Sequence, residues 1–371
     1  MSDMSEFEIF LATAPGLEAT LCDEVRLKGF KRPRAVPGGV TIRGGWPEVW
    51  RANLWIRGAT RVLARIDSFR ATHFAQLDQL AHKTPWKTFL RPDIPFRVEA
   101  TCSASRLYHD GAVAQRVATA IRDVAGAPEA ETADVIVRAR VDHDTCTLSV
   151  DTSGALLHRR GHKQAVNRAP LRDTLAALFL HQCGYNGSEP VFDPLCGSGT
   201  FVIEAAEIAA RLNPGRSRHF AFEHLATFDA EAWAQMRAVK SERPPSVHFY
   251  GSDRDAGAIA MSKANAERAG VSRFTTFRQC SISDIEPPEG KPGLVIANPP
   301  YGTRIGDPAK LAPLYNALGR TLRERFPAWR LGLLTTEPAL AHATGLTFLP
   351  TSAPVPHGGL KVTLYRTPPL A

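Results

Sequence analysis

Asn298-Pro299-Pro300-Tyr301 directly follows the apolar run Leu294-Val295-Ile296-Ala297, which reads as a buried strand. The two prolines fix φ and carry no N–H, so the backbone there is stiff and its carbonyls stay available. Asn298 adds a side-chain amide oxygen, and the Pro299 carbonyl is a second acceptor. Two fixed acceptors suit the two N–H groups of a planar amine conjugated to a base ring. They draw the lone pair out of conjugation and aim it at an electrophile. Tyr301 offers a ring for the base to stack on. Asn298, Pro299, Pro300 and Tyr301 are therefore the candidate catalytic residues. Taken alone, the four also read as a plain Pro-Pro turn after a strand.

Upstream, Asp193-Pro194-Leu195-Cys196-Gly197-Ser198-Gly199-Thr200 leaves the strand Pro190–Asp193 and enters the apolar stretch that starts at Phe201. A glycine-rich turn between strand and helix lets a ligand approach the backbone, and the helix start offers free N–H groups. The spacing is Gly-Ser-Gly-Thr, not G-x-G-x-x-G, and no lysine follows as in a P-loop. A cofactor without a pyrophosphate fits this turn better than a dinucleotide or nucleotide. Asp193, Pro194, Cys196, Gly197, Ser198, Gly199 and Thr200 are its candidate contacts. Asp253 ends the next strand, where a carboxylate can accept from ribose hydroxyls, and Asn298 faces the same ligand. Asp255, just ahead of Ala256, is better placed as a helix N-cap. Asp284 ends a further segment at the same face and is a candidate for an adenine amine.

These residues need a frame that brings strand ends together. From about residue 165 to residue 335, strands and helices alternate, which predicts a doubly wound parallel sheet. Two late segments, Thr344–Leu349 and Leu360–Tyr365, predict an antiparallel edge on it. The first 155 residues mix strands and helices without that alternation and predict an α+β region. The fold class is thus α/β preceded by α+β, divided at 1–45, 46–155 and 156–371.

Composition narrows the function classes. The 371 residues are 44% hydrophobic and 22% charged, which excludes disordered and fibrous chains. No run is long and apolar enough for a membrane span, and the start lacks a signal-peptide pattern, so a cytoplasmic location is expected. The six cysteines, Cys22, Cys102, Cys146, Cys183, Cys196 and Cys280, form no C-x-x-C pair, so no metal centre is expected. Lys plus Arg number 45 against 37 Asp plus Glu, an excess of +8 that permits a polyanion partner without requiring one. Arg26, Lys28, Lys31, Arg32 and Arg34 read either as an RNA-facing surface or as a solvated helix end. The histidines, among them His73, His109, His158, His162 and His357, read as surface or capping residues.

Taken together, the motifs resemble class I S-adenosylmethionine-dependent methyltransferases that modify exocyclic amines. More narrowly, they resemble the RNA guanine-N2 methyltransferases with an N-terminal THUMP domain, the rRNA enzymes of the RlmL type and the tRNA enzymes of the TrmN type. The matching segments are His158–Lys163, Ala169-Pro170-Leu171-Arg172, Asp193–Thr200, Phe220–Glu223, Gly251–Asp255 and Asn298–Gly302. The resemblance implies a Rossmann-like methyltransferase domain behind a ferredoxin-like and THUMP RNA-binding region. It also implies that Pro170 and Leu171 close over the methionine end of S-adenosylmethionine. The sequence departs from the rRNA enzymes at Thr303-Arg304, where Glu-Arg is common, and at His162, where Tyr is frequent.

The implied activity is methylation of the N2 amine of a guanosine in structured RNA, with 23S rRNA ahead of tRNA as substrate. Adenine-N6 methylation of DNA or RNA is the alternative, because Asn-Pro-Pro-Tyr serves that amine equally well. A monomer without metal is expected.

Overall fold

The computed structural model describes residues 6–164, 171–239, 241–301 and 308–371. Contacts divide the chain into two units. One comprises Met1–Thr13, Val25–Leu157 and Arg218–Lys240; the other comprises Ala14–Glu24, His158–Ser217 and Ser241–Ala371.

In the first unit, β1 (Phe7–Ala12), β2 (Arg34–Val36), β3 (Gly39–Gly44), β4 (Arg61–Arg70), β5 (Phe96–Ser103), β6 (Val135–Asp142) and β7 (Thr145–Asp151) form one sheet. Its order is β2-β3-β1-β4-β7-β6-β5, antiparallel except for β5 with β6. The long strand β4 is the joint. Its residues Arg61–Arg65 pair with β1 on one side, and Leu63–Arg70 pair with β7 on the other, with a bulge between Arg65 and Asp67. The predicted alternation explains its position, because Val62 and Ala64 are buried.

Helices α1 (Glu18–Leu27), whose residues to Glu24 are counted with the second unit, α2 (Trp46–Trp55), α3 (Phe74–Lys83), α4 (Trp86–Phe89) and α5 (Asp110–Ala125) accompany these strands in sequence. Two of the histidines cap as expected. The His73 ring accepts from the Gln76 N–H at the start of α3, and the His109 ring from the Ala112 N–H at the start of α5. The sequence reading contained neither α3 nor α4. Arg26, Lys28, Lys31, Arg32 and Arg34 are all exposed.

Residues 218–240 belong to this unit although they follow the glycine-rich turn in sequence. Aromatic burial explains it: Phe220 stacks on Phe222 at 5.2 Å between ring centroids, Phe222 meets Trp50 at 6.1 Å, and Trp233 stands edge-on to Phe222 at 5.0 Å.

The second unit holds β8 (Val191–Asp193), β9 (Phe249–Asp253), β10 (Thr275–Gln279), β11 (Leu294–Ala297), β12 (Arg330–Thr335), β13 (Val355–His357) and β14 (Leu360–Arg366). Their order is β10-β9-β8-β11-β12-β14-β13. The first five run parallel, while β14 and β13 are antiparallel. Helices α6 (Asp173–Gln182) and α7 (Thr200–Ala209) bracket β8, α8 (Ala230–Ala238) is the helix of the segment counted with the first unit, and α9 (Ala256–Ala269), α10 (Pro308–Arg325) and α11 (Pro338–Ala343) follow. Strand β11 is buried along its whole length, which its uninterrupted apolar sequence requires of a strand covered on both faces.

The antiparallel edge exists, but one of its strands is not where the sequence suggested. Thr344–Leu349 is not a strand. Gly345 turns left-handed at φ +67°, and the edge is built from Val355–His357 with β14 instead. Strand β9 also starts later than expected, at Phe249.

Candidate active site

The chain order reverses beside β8: β9 and β10 extend to one side and β11 and β12 to the other. In an open parallel sheet, the carboxyl ends of the strands at such a switch point leave a crevice for a ligand. Asp193 ends β8, Asp253 ends β9 and Asn298 follows β11 at this edge. The predicted residues on these three strands are thus brought together.

The turn from β8 into α7 is held from several sides. Gly197 and Gly199 take φ +53° and +83°, a region in which side chains are strained, so the Gly-x-Gly spacing is a backbone requirement. A Cβ on Gly197 would meet nothing within 4 Å, so that face of the turn is open. The Cys196 N–H donates to the Ser252 carbonyl at 2.9 Å, and the Gly197 N–H donates to Asp253 Oδ2 at 3.0 Å. Asp253 Oδ1 accepts from the Asp255 N–H at 3.0 Å, and Asp255 caps α9 as expected, accepting from the Gly257 N–H. A carboxylate has about four acceptor sites, so these bonds leave Asp253 room for ligand hydroxyls.

Asp193 is 2% exposed. Burial pushes its carboxyl up to about 8; the Leu195 N–H donating to it pulls the other way, and the nearby Asp253 charge adds to the rise. Cys196 is buried and its thiol is held well above the usual range, mainly by burial, so it is no nucleophile. Pro194, Ser198 and Thr200 are buried beside it. Asp284 stands in an exposed turn after β10. The Cys280 N–H fixes the start of that turn, donating to the Asp253 carbonyl at 3.0 Å.

The Asn298 amide oxygen is buried and has no hydrogen-bond partner among the described residues. A buried polar oxygen left bare costs free energy unless a ligand supplies the donor. Pro299 and Tyr301 are buried. Burial raises the Tyr301 phenol above its usual range, with a smaller push from Tyr315.

Several supporting residues had no place in the sequence reading. Ser262 Oγ on α9 donates to the Gly197 carbonyl at 2.9 Å, and Asn265 Nδ2 donates to the Ser198 carbonyl at 3.0 Å. Arg268 pairs with the Asn265 amide oxygen and donates from Nε to the His162 carbonyl at 2.8 Å. Arg160, 1% exposed, pairs with Glu204 and lies 3.2 Å from Glu207, both on the buried face of α7. His162 is 5% exposed and is not the cap residue of any described helix, which corrects the expectation of a surface or capping histidine. The pull comes from its neighbours Arg160 and Lys163, whose charges are buried against Glu204, Glu207 and Asp173. Polar positions such as Ser262 and Asn265, three apart on one helix, were the available signal.

Leu171 is buried, and its carbonyl accepts from Lys163 Nζ at 2.6 Å. Pro170, Ala169, Thr303 and Arg304 lie outside the described residues. Among the described residues, no group of three His, Cys, Asp or Glu side chains is arranged to hold a metal ion, and no helix is long and apolar enough to cross a membrane.

Three family models match the chain: the RlmL ferredoxin-like domain over residues 8–63, the THUMP domain over 71–151, and the RMKL-like methyltransferase domain over 160–354. The chain belongs to the RMKL-like methyltransferase family. It is 32% identical to slr0064 of Synechocystis sp., assigned as an RNA methyltransferase, with 99% of each chain covered. It is also 35% identical to the ribosomal RNA large subunit methyltransferase K/L of Chromohalobacter salexigens over 91% of this chain, but spans only 49% of that relative. The crystal structure of SMU.472, assigned as a methyltransferase and complexed with SAH, superposes with a TM-score of 0.89 at 26% identity, covering 99% of both chains.

Members of this family use S-adenosylmethionine, and this chain's residues suit it. The open glycine turn, the carboxylate at the end of β9 and the lack of a pyrophosphate motif fit a ligand with an amino acid, a ribose and an adenine. The chain is an S-adenosylmethionine-dependent methyltransferase.

Proposed function

We propose that this RMKL-like enzyme methylates the exocyclic N2 amine of a guanosine in structured RNA, with 23S rRNA ahead of tRNA as substrate. The observation that carries the reading is the buried amide oxygen of Asn298, without a partner among the described residues, beside the Pro299–Pro300 step. Its need for a donor is the need an amine N–H meets. The THUMP match over residues 71–151 and the names of the relatives support RNA over DNA.

In this reading Asn298 Oδ1 and the Pro299 carbonyl each accept one N–H of the amine and turn its lone pair outward, while Tyr301 bounds the base. S-adenosylmethionine supplies a methyl group already activated on a sulfonium. The protein's share is therefore alignment of the amine with that methyl for in-line displacement. Gly197 and Gly199 let the cofactor lie against the backbone. Asp253 accepts from its ribose hydroxyls, Asp284 from its adenine amine, and Pro170 and Leu171 flank its methionine end. The amine's spare proton leaves to solvent after transfer. A base in a paired stem has to be extruded to reach such a pocket.

The test is methyl transfer from labelled S-adenosylmethionine to total rRNA and total tRNA from a strain lacking the gene, followed by digestion to nucleosides. Label in N2-methylguanosine from the rRNA pool is the expected result, and the same nucleoside from tRNA alone reassigns the substrate. Label in N6-methyladenosine overturns the base, and no label in either pool with SAH bound overturns the RNA reading.

A further inference from the structure

Among the described residues the exposed large hydrophobic side chains are Leu27, Tyr108, Val239 and Leu349, and Tyr108, 83% exposed, is the aromatic one. It sits one residue ahead of the His109 cap of α5. That is the position from which an apolar side chain commonly packs back onto the fourth residue of the helix. Tyr108 does not pack back, although its neighbour Leu107 is buried at 2%.

The loop that carries Tyr108 is pinned along its length. The Arg106 N–H donates to Asp144 Oδ1 at 2.9 Å, and the Asp144 N–H donates to Ser105 Oγ at 2.9 Å. Ser103 Oγ donates to Asp142 Oδ1 at 2.8 Å, and the Cys102 N–H to Asp110 Oδ1 at 2.8 Å. The Ala71 N–H donates to the Asp144 carbonyl at 2.8 Å, tying in the end of β4. Ala104, His143 and Asp144 are held at φ +45°, +49° and +61°, a cost that this bonding offsets. The backbone under the ring is thus ordered in advance, and stacking has only the side-chain rotamer left to fix.

We propose that Tyr108 is a stacking platform for one unpaired base of the RNA substrate, an inference that rests on the RNA reading above. Every base has a π-face, so such a ring binds single-stranded nucleotides without reading sequence. Arg70 lies 3.8 Å from Asp144 and Arg140 lies 3.1 Å from Asp142, so these arginines are paired with carboxylates of the turn that holds the loop. What the site offers is therefore the exposed ring, which suits an unpaired base.

The test uses the full chain and two RNA probes, a blunt duplex and the same duplex with a short single-stranded overhang, read by fluorescence anisotropy. Wild type is expected to prefer the overhang, Tyr108→Phe to keep the preference, and Tyr108→Ala to lose it by roughly 5- to 150-fold. The slope of affinity against salt should be the same for Tyr108→Ala as for wild type, because no phosphate contact is removed. SAH binding, measured alongside, reports that the variants fold. Unchanged overhang binding by Tyr108→Ala, or equal weakening on both probes, overturns the platform and leaves the RNA reading standing. Binding of neither probe by wild type at low salt removes the RNA reading and the platform with it.

Discussion

The Tyr315 hydroxyl on α10 donates to the Pro300 carbonyl at 3.2 Å, so a fully buried helix side chain holds the Asn-Pro-Pro-Tyr backbone in place. Burial pushes this phenol up to about 12, with a Thr335 hydrogen bond working against the rise, so it remains a donor across the working pH range. Tyr315→Phe removes the donor and keeps the ring. Stability should fall by about 0.5–1.5 kcal/mol, the net worth of one hydrogen bond. Turnover should fall by about tenfold, because roughly 1.4 kcal/mol of lost alignment is tenfold in rate. SAH affinity should not move. A variant that is less stable but turns over at the wild-type rate would show that this bond serves the fold only.

Asn298→Ala removes the bare amide oxygen itself. Deleting one preorganised polar group at a reacting centre costs on the order of 10²-fold in kcat. The same loss is expected here, with SAH binding within about twofold of wild type. Calorimetric SAH titration and single-turnover methylation separate the two effects. Loss of SAH binding instead would mean that Asn298 serves the cofactor first and the amine second.

The strand-turn-helix around Asp193–Thr200 was legible because its signals are local: an apolar strand, two glycines with positive φ and an apolar helix. The strand ahead of Asn298 was legible for the same reason. Asn265 and Arg268 were not, because their partners, Ser198 and the His162 carbonyl, lie 67 and 106 residues away. A lone arginine such as Arg160 looks solvated until the two glutamates on α7 are placed against it. Phe220 and Phe222 were read as part of a family pattern, but only their packing on Trp50 and Trp233 shows which unit they join. Local chemistry survives in sequence; long-range pairing does not.

Arg160 supplies a third prediction. Its guanidinium is almost fully buried between Glu204 and Glu207, and Glu207 also pairs with Arg216 at 2.5 Å. Arg160→Met keeps the bulk and leaves an excess of buried negative charge. Removing one partner of a buried pair costs about 3–5 kcal/mol. Urea denaturation should show a loss of that size. Arg160→Met with Glu204→Gln should recover part of it, because the second change removes one of the two buried carboxylates that faced the guanidinium. A single variant within 1 kcal/mol of wild type would mean that water or repacking compensates the glutamates.

The last prediction turns on pH. Asp193 keeps its proton to about 8, mainly because burial disfavours its charge, whereas an unfolded chain releases that proton near the ordinary carboxylate value. The folded state therefore binds more protons than the unfolded state between those limits, and the group's contribution to stability declines as pH rises through that window. Asp193→Asn stays neutral and can still accept from the Leu195 N–H. The cofactor-free variant should accordingly gain stability relative to wild type from pH 5 to pH 8, and the gap should level off above. SAH carries an ammonium group, and that cation, seated beside the candidate cofactor contact Asp193, favours the ionised carboxylate. SAH affinity of wild type should then rise with pH up to about 8, with uptake of a proton by buffer, while the Asn variant stays flat over the same range. Calorimetry in two buffers of different ionisation enthalpy reads the proton directly. Flat SAH affinity in wild type would place the ammonium away from Asp193 and leave that carboxyl a buried, neutral prop for the turn.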